Sequence, residues 1–251
     1  MSNKTKPLSI IGVVVALLVI GGGVYWFVLR DDAPEEVDLD TAAGSVTTST
    51  AGDGAPSTTA TGDAAIDGKW TLDTTTGEFD YESATGTFVG YRVQENLVNI
   101  GANTAVGRTD AVEGSMQIDG TKVTSAQFTV DMTQLTSNDP SGFRDGRVQR
   151  ILGTDQFPTA TFELTSPIDL GADATSGSEI EVTAKGDLTI HGVTKAVEFP
   201  LQSKLVEGTV VVVGSIDVKF SDFGIETPAA PAVVSADDHG ILELQLLFSR
   251  A

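Results

Sequence analysis

His191 is the side chain in this sequence most easily imagined in acid–base chemistry. Asp187 and Lys195 flank it, and imidazole is the group whose ordinary titration falls between pH 5 and 8. Its setting argues for a different role. In GDLTIHGVTKAVEFPL, 186–201, Leu188 and Ile190 alternate with Asp187 and Thr189, the run breaks at His191 and Gly192, and alternation resumes at Val197 and Phe199. That pattern is a hairpin with a glycine-containing turn, so His191 is expected as a hydrogen-bonding turn element and not as a catalyst. Asp237, Asp238 and His239 have metal-ligand chemistry, but three neighbours in one loop supply little of the convergence a metal needs. No nucleophile elbow, P-loop, HExxH or dinucleotide fingerprint occurs. The expectation is therefore a chain with no catalytic residues, no metal site and no cofactor of its own. Arg144, Asp145, Arg147 and Arg150 form the local basic concentration of an otherwise acidic domain. Arginine presents a planar fork of donors suited to a phosphate or carbonyl. Arg144 and Arg147 therefore read either as contacts for a polar head group or as part of an Arg–Asp network that fixes a short helix, with Asp145 favouring the second.

These residues are carried on segments that read as strands. Phe128, Val130 and Met132 alternate with Gln127, Thr129 and Asp131; Phe162 and Leu164 alternate with Thr161, Glu163 and Thr165. Ile216, Val218 and Phe220 alternate with polar neighbours in the same way, as do Leu242, Leu244 and Leu246. A period of two gives each strand one apolar face, and Asp119-Gly120 and Glu207-Gly208 supply turns between runs. The class is all-β, a sandwich or a barrel. Val210 to Val213 is apolar without alternation, so it is expected to be covered on both faces, with the 144–152 helix as its outer neighbour. Residues 226–240 read as a loop near one end of the sheet, a candidate cap.

TDQFPTATFELTSP at 154–167, followed by GDLTIHGVTKAVEFPL at 186–201, resembles the YceI-like family of extracytoplasmic isoprenoid-binding proteins. SGFRDGRVQRIL at 141–152 and SDFGI at 221–225 extend the resemblance in the same order, from about Trp70 to the C-terminus. It implies an eight-stranded antiparallel, lipocalin-like barrel enclosing a long apolar chain, such as a polyisoprenoid lipid or a quinone tail. Histidines that many family members carry around the first long strand have no counterpart in TFVGYRVQENL, 87–97, so no role is carried over from them. Under this resemblance the ligand-lining set is Phe88, Tyr91, Val93, Phe128, Val130, Met132, Leu135, Phe143, Arg144, Arg147, Ile151, Leu152, Phe157, Phe162, Leu164 and Phe199. Periodicity by itself assigns any one of these equally to a filled core. The rival function is accordingly a surface adhesion or scaffold module with a solid interior and no internal ligand.

The ends of the chain set its location. Residues 8–29 contain no charge and as a helix would span about 33 Å, enough to cross a bilayer. Lys4 and Lys6 precede this stretch, and Asp31, Asp32, Glu35 and Glu36 lie beyond Arg30. Residues 1–30 thus read as a transmembrane signal-anchor with a cytoplasmic N-terminus and an extracytoplasmic domain. A cleaved signal peptide is the rival, though no small-x-small site directly follows Trp26. Residues 31–66 hold eight acids, no base and no aromatic; such a composition predicts a flexible linker reaching on the order of 30–35 Å. The remaining 67–251 is long enough for one domain with a sizeable core and carries 12 Lys/Arg against 27 Asp/Glu, the wrong sign for a nucleic-acid binder. The absence of cysteine removes thiol chemistry. Expected partners are a hydrophobic lipid and the membrane; homodimerisation is left open.

Overall fold

The computed structural model describes residues 33–50, 66–98, 101–137, 142–226 and 233–251. Alternating polarity gives the strands an inside and an outside, and the sheet closes so that the apolar sides face each other. In chain order the strands are β1 (Gly68–Leu72), β2 (Phe88–Leu97), β3 (Gly101–Thr109), β4 (Val112–Asp119), β5 (Lys122–Asp131), β6 (Thr159–Leu164), β7 (Ile168–Asp169), β8 (Ile180–Ile190), β9 (Val193–Val206), β10 (Thr209–Lys219), β11 (Val233–Ala236) and β12 (His239–Arg250). Eight of them form a closed antiparallel ring in the order β1-β4-β5-β6-β8-β9-β10-β12, with β12 pairing back to β1. Closure leaves the ring without a free edge. The eight-stranded barrel expected from the family resemblance is thus observed.

The seam of the ring lies along β12, which changes partner halfway. Ile241 to Gln245 pair with β2, whereas Phe248 to Arg250 pair with β1. At the crossover Leu247 N–H donates to the Thr87 hydroxyl at 3.0 Å, the Thr87 hydroxyl donates to the Asp73 carbonyl at 2.6 Å, and Asp73 N–H donates to the Leu247 carbonyl at 2.8 Å. Buried backbone groups left over by a change of partner require such replacements. β2 continues into a hairpin with β3 and also pairs with β11. Residues 233–236 are thereby a strand on the barrel rim, a departure from the loop expected for 226–240; residues 227–232 lie outside the described residues.

Two helices pack on this frame: α1 (Leu39–Thr50) outside the wall and α2 (Phe143–Leu152) over one end. α1 overturns the expectation of a flexible linker for the part of 31–66 that is described. Asp38 caps it, its carboxylate accepting from Thr41 N–H at 2.8 Å and from the Thr41 hydroxyl. Leu39, Ala42 and Val46 then form one buried cluster with Val211, Val213 and Leu247. The physical reason is the unbroken valine run. Val210 and Val212 face inward, so Val211 and Val213 must be covered from outside, and α1 supplies the cover where the 144–152 helix had been expected. The rest of the linker, 51–65, and the apolar stretch 8–29 lie outside the described residues. Among the described residues no helix is long and apolar enough to cross a membrane.

Alongside α1, Glu243 lies buried on the outer side of the wall between two buried arginines. Its carboxylate accepts from Arg92 Nε at 2.7 Å and from Arg108 Nε at 2.8 Å. Spare guanidinium donors reach the carbonyls of Pro34 and Glu35, and Arg108 also reaches the carbonyl of Tyr81 at 3.2 Å. The segment leading into α1 is therefore a hydrogen-bonded part of the fold. Removing one partner of a buried ion pair strands the other charges without water. Glu243→Ala is accordingly expected to lower stability by about 3–5 kcal/mol, and Leu39→Ala by about 2 kcal/mol or more, both read from urea unfolding. A loss below 1 kcal/mol for each, on the same scale, would mean that the 33–50 segment is dispensable.

Candidate functional site

The inward-facing side chains do not fill the ring. An apolar cavity of about 550 Å³ runs along the barrel, where a solid core would leave few voids larger than a water molecule. Glycines help to keep the space open. Tyr91 is the cross-strand partner of Gly107, and its ring occupies the room a Cβ there would need. The Phe162 ring sits in the same way over Gly186. Glycine inside a strand permits such close approach, and here it lets large rings lie against the wall and not across the lumen.

The two ends of the cavity differ. At one end Trp70, Ile66, Met116, Ile118, Val123, Ala174, Leu246 and Phe248 form a packed cluster, and the Trp70 indole N–H donates to the Ile66 carbonyl at 2.8 Å. At the other end the cover is α2, whose Val148, Ile151 and Leu152 line the cavity although none of its residues is fully buried. α2 is held by Ile151 and Leu152, which pack against a buried cluster that includes Leu188, Ile190, Val218 and Phe223, and by polar contacts at its margins. Asp145 accepts from Ser137 N–H at 2.8 Å, from the Ser137 hydroxyl, and from the Thr136 hydroxyl at 3.2 Å. Gln149 donates to the Thr133 carbonyl at 2.9 Å, and Gly153 closes the helix in the left-handed conformation. Asp145 is thus a structural tie, as its position beside the arginines suggested.

Four polar side chains of the lumen stand beside this lid. Arg144 pairs with Glu95 at 3.1 Å, and Glu95 also accepts from Asn103 at 2.7 Å. Tyr91, Glu95, Arg144 and Arg147 all border the cavity. Burial pushes the Tyr91 phenol well above its ordinary pKa, while the Arg144 guanidinium pulls in the opposite sense; the phenol stays neutral and can donate or accept. The cavity is therefore predominantly apolar, with Ser203 and Lys204 on its border away from α2 and the larger polar group at the α2 mouth, a geometry suited to a long apolar chain with a small polar head.

Of the residues expected to line a ligand space, Tyr91, Val93, Phe128, Val130, Met132, Leu135, Phe143, Arg144, Arg147, Ile151, Leu152, Phe162, Leu164 and Phe199 border this cavity. Phe88 and Phe157 do not. Phe88 has the opposite parity to Tyr91 and Val93 along β2 and lies buried outside the lumen, with the Arg108 guanidinium 4.6 Å from its ring centre. Phe157 precedes β6 and packs edge-on against His191, with ring centres 4.9 Å apart. Sequence reasoning missed Leu188, Val210, Val212 and Leu244, which border the cavity from β8, β10 and β12; the same alternation that marked Phe128 would have found Leu188 and Leu244. His191 occupies its hairpin turn with φ 53°, followed by Gly192 at φ 72°, and Nδ1 faces the Phe223 carbonyl at 3.2 Å. Since a carbonyl only accepts, that nitrogen carries the proton. Asp238 bonds Ser221 through both carboxylate oxygens, and His239 Nδ1 faces Asp217 at 3.1 Å. Among the described residues no group of three or more acids and histidines is placed to hold a metal. The solid interior demanded by the scaffold reading is not what the barrel contains.

The pattern of the YceI-like domain matches residues 38–248, and it begins at Asp38, the cap of α1. The protein YceI of Shigella flexneri is 28% identical over 160 residues, spanning 60% of this chain and 76% of that protein. Among solved structures, a polyisoprenoid-binding domain from Saccharophagus degradans, described as implicated in plant cell wall breakdown, superposes with a TM-score of 0.55 at 18% identity. The match covers 72% of this chain and 98% of that domain, and at that identity the likeness is one of fold.

Because α2 covers a void, its attachment governs how readily the lumen opens. Asp145→Ala removes charge-assisted bonds to Thr136 and Ser137, worth about 1.5–3 kcal/mol. The expected outcome is release of a fluorescent apolar probe from the cavity about tenfold faster or more, measured by stopped-flow dilution into vesicles. An unchanged release rate would mean that guests do not pass α2.

Proposed function

The chain belongs to the YceI-like domain family, and on that premise we propose that its barrel holds a long-chain lipid of the polyisoprenoid or quinone type outside the cytoplasmic membrane, with residues 8–29 as its anchor. The observation that carries this reading is the apolar cavity of about 550 Å³ where a barrel of this size could have been filled by its own side chains. Burial of the tail would drive binding, at about 0.8 kcal/mol per methylene removed from water. Tail length would be selected by the distance from the lid to the Trp70 cluster. The head would sit beside Tyr91, Arg144 and Arg147, where a neutral phenol and two guanidiniums can meet a carbonyl, hydroxyl or phosphate oxygen. Holding, not turnover, is the role that the family and the solved-structure relative support. The charge pattern around residues 4–36 supports a cytoplasmic N-terminus and an extracytoplasmic barrel. The solved-structure relative described as a polyisoprenoid-binding domain supports the choice of ligand class.

The test is native mass spectrometry of the full chain purified from its host membrane, followed by organic extraction. One isoprenoid or quinone per chain is the expected result; a chain that is empty, and stays empty when offered such lipids, overturns the reading. Ala184, buried and bordering the lumen, supplies a second arm. Ala184→Phe places a ring in the void and is expected to lower lipid uptake by about tenfold or more with the barrel's circular dichroism unchanged.

A further inference from the structure

We propose that the barrel rests mouth-down on the bilayer, with Val98, Phe143 and Val234 set into lipid around the entrance to the cavity. This rests on the anchor reading above and adds to it an orientation and a contact surface. Val98, Phe143 and Val234 are the large apolar side chains that stand exposed among the described residues, at 44%, 70% and 66%. Apolar residues scattered singly over a surface need no explanation, but these three share one end of the barrel. Val98 follows Leu97, and Leu97 pairs with Val233, the neighbour of Val234. Phe143 opens α2, whose Arg144 is bonded to Glu95 two residues before Leu97. Phe143 and Leu97 also border the lumen, so the exposed patch is continuous with the cavity's apolar lining.

Charge and chain path both select a lipid surface as the occupant. The domain is strongly acidic, yet Arg147 and Arg150 stand on α2 beside this patch, next to Arg144 with its Glu95 partner, complementary to anionic head groups within a Debye length of the surface. The chain enters the fold on the same side: Ala33 to Glu36 lie against Arg92, Gln94, Asp237 and His239, then run away from the mouth into α1. From residue 29, the end of the uncharged stretch, to Ala33 the backbone reaches at most about 14 Å. An anchored chain could not hold the barrel at the distance a long linker would permit, and it enters from the mouth side. With the rim in lipid, an apolar guest passes between bilayer and lumen without exposing its tail to water.

Single cysteines in this cysteine-free chain test the proposal. Asn96→Cys and Ser235→Cys, both exposed beside the patch, and Thr121→Cys, exposed at the opposite end, are labelled with an environment-sensitive dye. The full chain is reconstituted into vesicles of phosphatidylcholine and phosphatidylglycerol, and lipid-borne nitroxide quenching is compared with extraction of the chain by alkaline carbonate. The expected result is retention of the chain with strong quenching at 96 and 235 and none at 121. Retention with all three labels equally water-exposed overturns the docking and leaves the anchor standing; release into carbonate with all three labels water-exposed overturns both. In a second arm, Val98→Ser combined with Val234→Ser alters neither the lumen lining nor the guanidiniums. Transfer of a fluorescent isoprenoid from vesicles to this variant is expected to slow by about tenfold while its capacity, loaded from detergent, is unchanged; an unchanged transfer rate overturns the proposal.

Discussion

A barrel that keeps its inside open has to find its packing elsewhere. Side chains that would ordinarily interlock across the ring, such as Phe128, Leu188, Val212 and Leu244, here meet a lumen, so part of the dispersion energy of a filled core is forgone. The outer face compensates. Val211 and Leu247 are fully enclosed although they point away from the lumen, and what encloses them is α1. The segment between β1 and β2 covers the adjoining parts of β12 and β3: Gln245 donates to the Gly86 carbonyl at 2.8 Å, and Tyr81 donates to the Val106 carbonyl at 3.0 Å. The wall is thus a two-layer structure, in which a sheet supports a void on one side and is braced by helix and loop on the other.

The buried charges follow from the same arrangement. An ion pair between Arg92, Arg108 and Glu243 is costly to desolvate, and well-packed apolar residues often do as well or better in its place. Its use here is positional. The guanidiniums hold more donors than one carboxylate can accept, and the surplus is met by the carbonyls of Pro34, Glu35 and Tyr81. Two pieces of chain with little apolar content of their own are thereby fixed on the barrel. An apolar patch in place of the triad could cover the same area without specifying which backbone lies over it.

The architecture was largely legible because it rests on alternation, a local property. The strands around Phe128, Phe162 and Leu188, the His191–Gly192 turn and the cavity-facing side of β5 and β6 all follow from period two and turn chemistry. The errors have equally physical origins. Phe88 was grouped with Tyr91 and Val93 although an odd separation along one strand puts it on the other face, and Phe157 lies before β6 begins, where alternation assigns no face. α1 was overlooked because Thr, Ser and Gly dominate its composition and have low helix propensity. Its signals were nevertheless present: Asp38 as cap, then Leu39, Ala42, Ala43 and Val46 at the i, i+3, i+4, i+7 spacing of one helical face. Composition predicted whether that segment could fold alone; it could not predict that the valines of β10 needed a cover. The open lumen itself was beyond periodicity, which reports the direction a side chain points and not the distance to what it faces.

The inequality of the two ends determines how an enclosed guest could leave. At the Trp70 end an exit would have to separate a buried indole from its carbonyl partner and open a cluster of eight buried side chains, which exposes apolar area at about 25 cal/mol per Å². At the α2 end no residue of the helix is fully buried; Ile151 and Leu152 pack against a smaller cluster of six buried side chains, and the remaining attachments are hydrogen bonds and an ion pair at the margins that water can replace in the open state. Displacing α2 therefore exposes the lumen and lifts Ile151 and Leu152 off that smaller cluster, and the cost falls if the exposed apolar surface is covered as it opens. Polar ties and two partly buried apolar side chains at the lid, against a cluster of eight buried side chains at the plug, make the α2 end the weaker. The groups able to recognise a polar head, Tyr91, Arg144 and Arg147, stand at that weaker end, so a guest entering tail-first would leave its head where the lid closes.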